Sequence, residues 1–295
     1  MRVARHRSGD EVRVGVLDGE ELVDLDGTGV LELLAASPPE RERRALQGSR
    51  VPLESASLLA PVERPGKFLA VGFNFADHAA ETPKLPELEP MYESIRYTRL
   101  AHPDPTLPTV FNKQTTCIAG PFDPVWLPRD ARMLDYEGEL ALVIGRRARR
   151  ASERQAAEAI AAYCVCNDVS VREWQLDTPT MWPGKSFDTH GPLGPWLVTA
   201  DALDPDGLSI RTWVNGELRQ DGSTGAMILS PARLVSRISQ VCTLEPGDVI
   251  ATGTPAGIGT PTGRFLRVGD VVRIEVQGIG AIENTVIDEP SGGAA

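Results

Sequence analysis

Asp135-Tyr136-Glu137-Gly138-Glu139-Leu140-Ala141-Leu142-Val143-Ile144 is the stretch from which the rest of this chain can be read. As a strand it alternates faces, so Glu137 and Glu139 point one way while Leu140, Leu142 and Ile144 point the other. One face then packs and the other carries two carboxylates. The spacing alone fits two readings: an edge strand with solvated glutamates, or a carboxylate pair compensated by a bound cation, because a buried anion loses hydration that only a partner replaces. Asp168 favours the cation, since it too sits in an apolar, strand-like run, Cys164-Val165-Cys166-Asn167-Asp168-Val169-Ser170. Three carboxylates with no histidine or cysteine at ligand spacing make a hard, all-oxygen set, better suited to Mg²⁺ or Mn²⁺ than to zinc.

Working outward, the chain turns strongly β on both sides of this stretch. VRVGVL and ELVDL flank Asp18-Gly19 as a hairpin, opening a small β-rich N-terminal domain. Leu31 to Leu46 reads as two short helices separated by Ser37-Pro38-Pro39, and PVERPG at 61–66 has the punctuation of a linker, so the expected division is 1–60 and 61–295. KFLAVG is a strand feeding a short helix from Phe75 to Glu81, with Asn74 as its expected cap. Thr82 to Pro108 is proline-rich and without period, which fits a lid over a site or a surface insertion. A helix from Glu153 to Ala162, capped by Ser152 and Gln155, precedes the strand containing Asp168. Leu208, Ile210, Thr212 and Val214 alternate up to Asn215-Gly216 as a hairpin, and LEPGDVI and LRVGDVV each place Gly-Asp ahead of a strand. The fold class is α+β, dominated by sheet.

Composition narrows the function. The chain has 295 residues, 41% hydrophobic and 24% charged, enough apolar material for a real core. Thirty basic against 41 acidic residues give a net charge of −11, which repels polyanions, so nucleic acid is not an expected partner. No apolar run approaches the roughly 20 residues that span a bilayer, and the opening MRVARHRSGD lacks a signal-peptide core, so no membrane partner and a cytoplasmic location are expected. Four cysteines are too few and too oddly spaced for a disulfide framework or zinc site, and read as reduced, buried thiols.

A second constellation is His78 and Glu81, three residues apart and on one face of the short helix. Such a carboxylate fixes the imidazole tautomer and stabilises the protonated ring, as a general base acting on water requires, while a helix N-terminus opposes protonation at rest. The same pair is also commonplace on surface helices.

The ordered motifs Gly72-Phe73-Asn74-Phe75-Ala76-Asp77-His78-Ala79-Ala80-Glu81, Phe111-Asn112-Lys113, Asp135-Tyr136-Glu137-Gly138-Glu139-Leu140, Asn167-Asp168-Val169-Ser170, Gly184-Lys185-Ser186-Phe187-Asp188 and Thr252-Gly253-Thr254-Pro255-Ala256-Gly257-Ile258-Gly259 resemble the fumarylacetoacetate hydrolase family. The resemblance implies a mixed β-roll catalytic domain behind a small N-terminal domain, a homodimer, and a divalent metal, Mg²⁺ with Mn²⁺ or Ca²⁺ able to substitute. It makes Glu137, Glu139 and Asp168 the metal ligands and His78 with Glu81 the water-activating dyad. Lys185 joins them as a catalytic cation, and Lys113 and Thr254 as substrate-binding residues. The expected activity is cleavage of a carbon–carbon bond in an acylpyruvate or related β-diketo or 2-oxo acid. The alternative uses the same metal site for isomerisation or hydration of unsaturated 2-oxo diacids, or for oxaloacetate decarboxylation. A metabolite binder that has lost the chemistry would have no need of the dyad. The long 82–108 segment and Gln114-Thr115-Thr116 depart from the family pattern, where substrate choice would be set.

Overall fold

Strand Gly138–Ile144 is buried along its whole length, and its two neighbours explain why. Ile160–Asn167 pairs with it antiparallel on one side and Val249–Ala251 antiparallel on the other. In this computed structural model the described residues are 1–291 except 26, 47, 82–107, 177 and 179. Among them, twelve strands form the larger sheet, which runs from the N-terminal hairpins through Gly191–Thr199, Ile160–Asn167 and Gly138–Ile144 to Val249–Ala251, Phe68–Gly72 and Thr109–Lys113. A five-stranded sheet built on Ser209–Val214, Glu217–Ser223, Val271–Val276, Gly280–Asp288 and Val125–Leu127 makes the second layer.

The alternation read in the key strand holds, but both of its faces pack. Leu140, Leu142 and Ile144 meet Ile210, Val214 and Ile274 of the second sheet. On the opposite face Ala141 and Val143 join a second core with Phe68, Cys164, Leu193 and the helix residue Leu33. The carboxylates therefore project into a protein interior, not from a solvated edge. This twofold burial disposes of the edge-strand reading: every position of the strand is covered.

Both hairpins form where the turn residues place them. Glu11–Asp18 pairs with Glu21–Asp24 across Gly19, which takes φ +63°. Ser209–Val214 pairs with Glu217–Ser223 across Asn215-Gly216, and Ile210, Thr212 and Val214 are the buried positions. The N-terminal strands are not set apart from the larger sheet. Arg2 and Val3 pair with Val198 and Leu197, so one ladder crosses the linker, and the Met1 amine donates to Thr199 Oγ1 at 2.8 Å.

Several local expectations need correction. Pro38 and Pro39 do not separate the two early helices. They open the second, Pro38–Ala45, where a missing N–H costs nothing. The Glu153 helix stops at Ala159, because Ile160 pairs with Ile144 and the ladder claims the following residues. Its N-terminus is as read, a reciprocal capping box of Ser152 and Gln155. Ser152→Ala is expected to cost about 1 kcal/mol in urea unfolding and to leave catalysis unchanged. Asn74 does not cap the Ala76–Ala80 helix; Phe75 occupies the cap position, and the Asn74 amide instead donates to the carbonyls of Leu229 and Thr252. The four cysteines are free; Cys117, Cys164 and Cys166 are buried, and burial pushes the Cys164 thiol up to about 12. Of the expected lid, residues 82–107 lie outside the described residues. No described helix is long and apolar enough to cross a membrane.

Candidate active site

Register brings the acidic residues together. Gly138 pairs with Asn167, so the residues just beyond the ladder, Glu137 and Asp168, face each other, and the Asp168 amide donates to the Glu137 carbonyl at 2.9 Å. One carboxylate oxygen from each of Glu137, Glu139 and Asp168 lies within 4.8 Å of the others, and all three residues are buried. Glycine is required between the two glutamates: a Cβ on Gly138 would sit 2.3 Å from Thr212 Oγ1 of the second sheet.

Three cations answer these anions unequally. Lys185 Nζ stands 2.9 Å from Glu137 and 2.8 Å from Asp168. Lys113 Nζ is 2.6 Å from Asp168 and also donates to the Lys185 carbonyl. Arg172 lies 2.6 Å from Glu137 and 2.9 Å from Asp135. Burial opposes ionisation of Glu137, yet Lys185 and then Arg172 outweigh it and hold the carboxyl well below the usual range. Glu139 accepts the Gly253 amide at 2.7 Å, and burial, followed by the Asp168 and Glu137 anions, pushes its carboxyl well up. An undercompensated, all-oxygen cluster of this kind is what a divalent cation neutralises, so the residues present fit the metal.

His78 comes to the same cavity from the end of strand Phe68–Gly72. That strand runs parallel to Val249–Ala251, so the turn after each emerges side by side. His78 Nδ1 meets Glu81 Oε2 at 2.8 Å, its ring stacks on Phe73 with centroids 5.4 Å apart, and it is buried. The pairing is as expected, and His78 is the third residue of a helix only five residues long. Glu81 Oε1 is taken by the Gly257 amide at 2.8 Å.

The cavity is lined by His78, Glu137, Arg172, Lys185, Thr254 and Phe111, among others. Lys113 is not among the residues that line the cavity, whereas Thr254 is. Lys113 is buried against Asp168 and braces it from behind. The Thr254 hydroxyl donates to the Gly138 carbonyl at 3.0 Å and accepts from Gln220 at 2.8 Å, so its proton is used within the protein.

The sequence reading missed Arg172 and Asp135. Arg172 stands four residues beyond Asp168 at the end of the same apolar run, and a cation in that setting is a signal as good as Asp168 itself. Asp135 gives the key stretch its first residue: fully buried, it accepts the amides of Gly259 and Thr260, the Thr260 hydroxyl and Arg172 Nε at 2.7–3.0 Å. Together Asp135, Gly138 and Glu139 bind the 252–260 turn at three points along its length.

Comparison with known proteins places this geometry. Residues 67–287 match the family model described as fumarylacetoacetate (FAA) hydrolase C-terminal, and residues 1–61 match Rv2993c-like, N-terminal. The chain belongs to the fumarylacetoacetate hydrolase family. Among solved structures, fumarylacetoacetate hydrolase from Exiguobacterium antarcticum is 32% identical with a TM-score of 0.80, covering 98% of this chain and 100% of that one. 2-Hydroxyhepta-2,4-diene-1,7-dioate isomerase from Mycobacterium marinum is 33% identical with a TM-score of 0.79, over 99% and 100% of the two chains. Maleylpyruvate hydrolase from Sphingobium sp. SYK-6, in complex with manganese(II) ion and pyruvate, is 30% identical with a TM-score of 0.78, over 98% and 100%. The β-dominated fold with mixed sheets is that of the family, and the chain is an enzyme of it.

Proposed function

We propose that this chain is a divalent-metal-dependent hydrolase that cleaves the carbon–carbon bond of an acylpyruvate or related β-diketo acid. The observation that carries the reading is His78, held at Nδ1 by Glu81, lining the same cavity as Glu137 and Lys185. A proton acceptor beside an anion cluster suited to a metal is what water attack on a chelating diketo acid needs. Glu137, Glu139 and Asp168 would hold Mg²⁺ or Mn²⁺, which when bound supplies Lewis acidity at the 2-oxo acid end of the substrate. The manganese and pyruvate of the Sphingobium relative support this choice of cation and acid.

The remaining chemistry belongs to the chain. Glu81 occupies Nδ1 of His78, so Nε2 is the nitrogen left to take a proton from water. The hydroxide so formed adds to the distal carbonyl carbon, and Glu81 stabilises the imidazolium. Lys185 and Arg172 line the cavity as fixed cations near developing negative charge. When the carbon–carbon bond breaks, its electron pair leaves on the pyruvyl carbon, which regains the proton from His78. One water is consumed, and the products are a carboxylic acid and a 2-oxo acid. The M. marinum isomerase favours a second reading, in which the same site moves a proton within an unsaturated 2-oxo diacid without adding water.

A panel of acylpyruvates, oxaloacetate and unsaturated 2-oxo diacids, assayed with Mg²⁺, Mn²⁺ and EDTA, separates the readings. Acylpyruvates are expected to be the best substrates, with turnover abolished by EDTA and restored by either cation. Preference for the diacids with no acid released would replace hydrolysis by isomerisation. Turnover indifferent to EDTA would remove the metal from the scheme.

A further inference from the structure

A chain of hydrogen bonds joins the dyad to a residue that neither reading of the chemistry uses. Tyr136 lies between Asp135 and Glu137, and its ring is buried in the core between the two sheets. Its hydroxyl donates to the Gly257 carbonyl at 3.0 Å. The amide of that same Gly257 donates to Glu81 Oε1 at 2.8 Å, and Glu81 Oε2 holds His78 Nδ1 at 2.8 Å. Gly257 takes φ +104°, and a Cβ there would lie 2.1 Å from the Arg219 carbonyl, so the glycine is boxed in on its other side. Among the described contacts, Tyr136 is thus the side chain that ties the acidic strand to the residue fixing the dyad's carboxylate.

We propose that Tyr136 is a positioning residue for the water-activating dyad, setting Gly257 so that Gly257 sets Glu81 on His78. The proposal rests on reading His78 as the base. A phenolic hydroxyl is a donor at neutral pH and Phe fills the same core space, so Tyr136→Phe deletes the tie while retaining the packing. Loss of this one hydrogen bond leaves the fold intact. With the Gly257 carbonyl untied, the orientation in which the Gly257 amide holds Glu81 is loosened, and His78 no longer keeps its proton on Nδ1 alone.

The test compares wild type, Tyr136→Phe and His78→Ala, all Mg²⁺-loaded, on a short acylpyruvate, with ¹⁵N spectra of the imidazoles recorded without substrate. The chain has four histidines, and the His78 signals are those missing in His78→Ala. In Tyr136→Phe, kcat is expected to fall about tenfold with KM within about twofold, as for a misaligned general base. The His78 nitrogens should shift from a single Nδ1–H tautomer towards a mixture. A purely structural hydrogen bond would lower the melting temperature and move neither signal. Wild-type kcat, or unmoved His78 shifts, in Tyr136→Phe overturns the proposal. If His78→Ala itself cleaves at the wild-type rate, the base reading fails first; if it slows while Tyr136→Phe does not, only the positioning role fails.

Discussion

His78→Ala is expected to lose roughly 10²–10⁴ in kcat for acylpyruvate cleavage, the range that general-base assistance supplies. Water at neutral pH is a poor nucleophile towards a ketone, and with Nδ1 engaged by Glu81 at 2.8 Å the imidazole has one nitrogen free to activate it. The alanine removes that acceptor without touching the acidic cluster, so Mg²⁺ affinity and binding of the product pyruvate should persist. Oxaloacetate decarboxylation needs chiefly an electron sink, so any such activity should fall far less in the same variant. The two rates should therefore separate in one protein. Glu81→Gln should follow in the same direction with a smaller loss, because the base remains and only its support is weakened. Equal losses on both substrates would point to collapse of the site and not to removal of a base.

The acidic cluster gives a pair of opposite outcomes. Asp168→Asn should weaken Mg²⁺ binding and also destabilise the apo-protein by about 3–5 kcal/mol, because Lys113, fully enclosed, loses its counter-charge. Glu139→Gln should weaken Mg²⁺ binding by more than about a hundredfold, beyond the roughly 10–100-fold that loss of an outer partner costs. Yet it should raise the melting temperature of the apo-protein. Burial and the two neighbouring anions push the Glu139 carboxyl above its ordinary 4.5, and the amide removes an unfavourable charge while still accepting from Gly253. The sign follows from linkage. A carboxyl raised on folding contributes stability below pH 4.5 and loses it as the pH rises through the folded value. Apo wild type should therefore lose stability with rising pH above 4.5 relative to Glu139→Gln, and the difference should vanish when Mg²⁺ is added to wild type. Calorimetric titration and melting curves from pH 4 to 8 check both variants. An Asp168→Asn protein as stable as wild type would show that Lys113 finds another partner.

Much of this is legible in the sequence, and the reasons are local. Hairpins at Asp18-Gly19 and Asn215-Gly216, the Ser152 capping box and the alternation of Leu140, Leu142 and Ile144 are decided within a few residues, where backbone preference and packing agree. So was the approach of Glu137 to Asp168, because each closes an apolar run in which a lone carboxylate would be costly. What escaped was set by distant partners. Asn74 reads as a helix cap, but the carbonyls of Leu229 and Thr252, more than 150 residues away in sequence, take its amide. Arg172 closes the same apolar run as Asp168, but its partners Asp135 and Glu137 lie more than 30 residues away in sequence. Lys113 and Thr254 carry the family motif, yet their polar groups are committed to Asp168, Gly138 and Gln220, which no spacing rule reveals.

The ladder that pairs Gly138 with Asn167 divides the enzyme's capacity for change into two unequal parts. Glu137, Glu139 and Asp168 are placed by the long central strands and the residues immediately at their ends, so their mutual spacing is a property of the sheet and survives alterations elsewhere. His78 and Lys185 hang instead on a five-residue helix and a four-residue 3₁₀ turn, the kind of segments that tolerate insertion and re-aiming. A lineage carrying this scaffold can drift in what it accepts, and in where the proton is delivered, while conserving the anion cluster without effort. Hydrolases and an isomerase that each match this chain's backbone at about one-third identity are the outcome such an arrangement leads one to find.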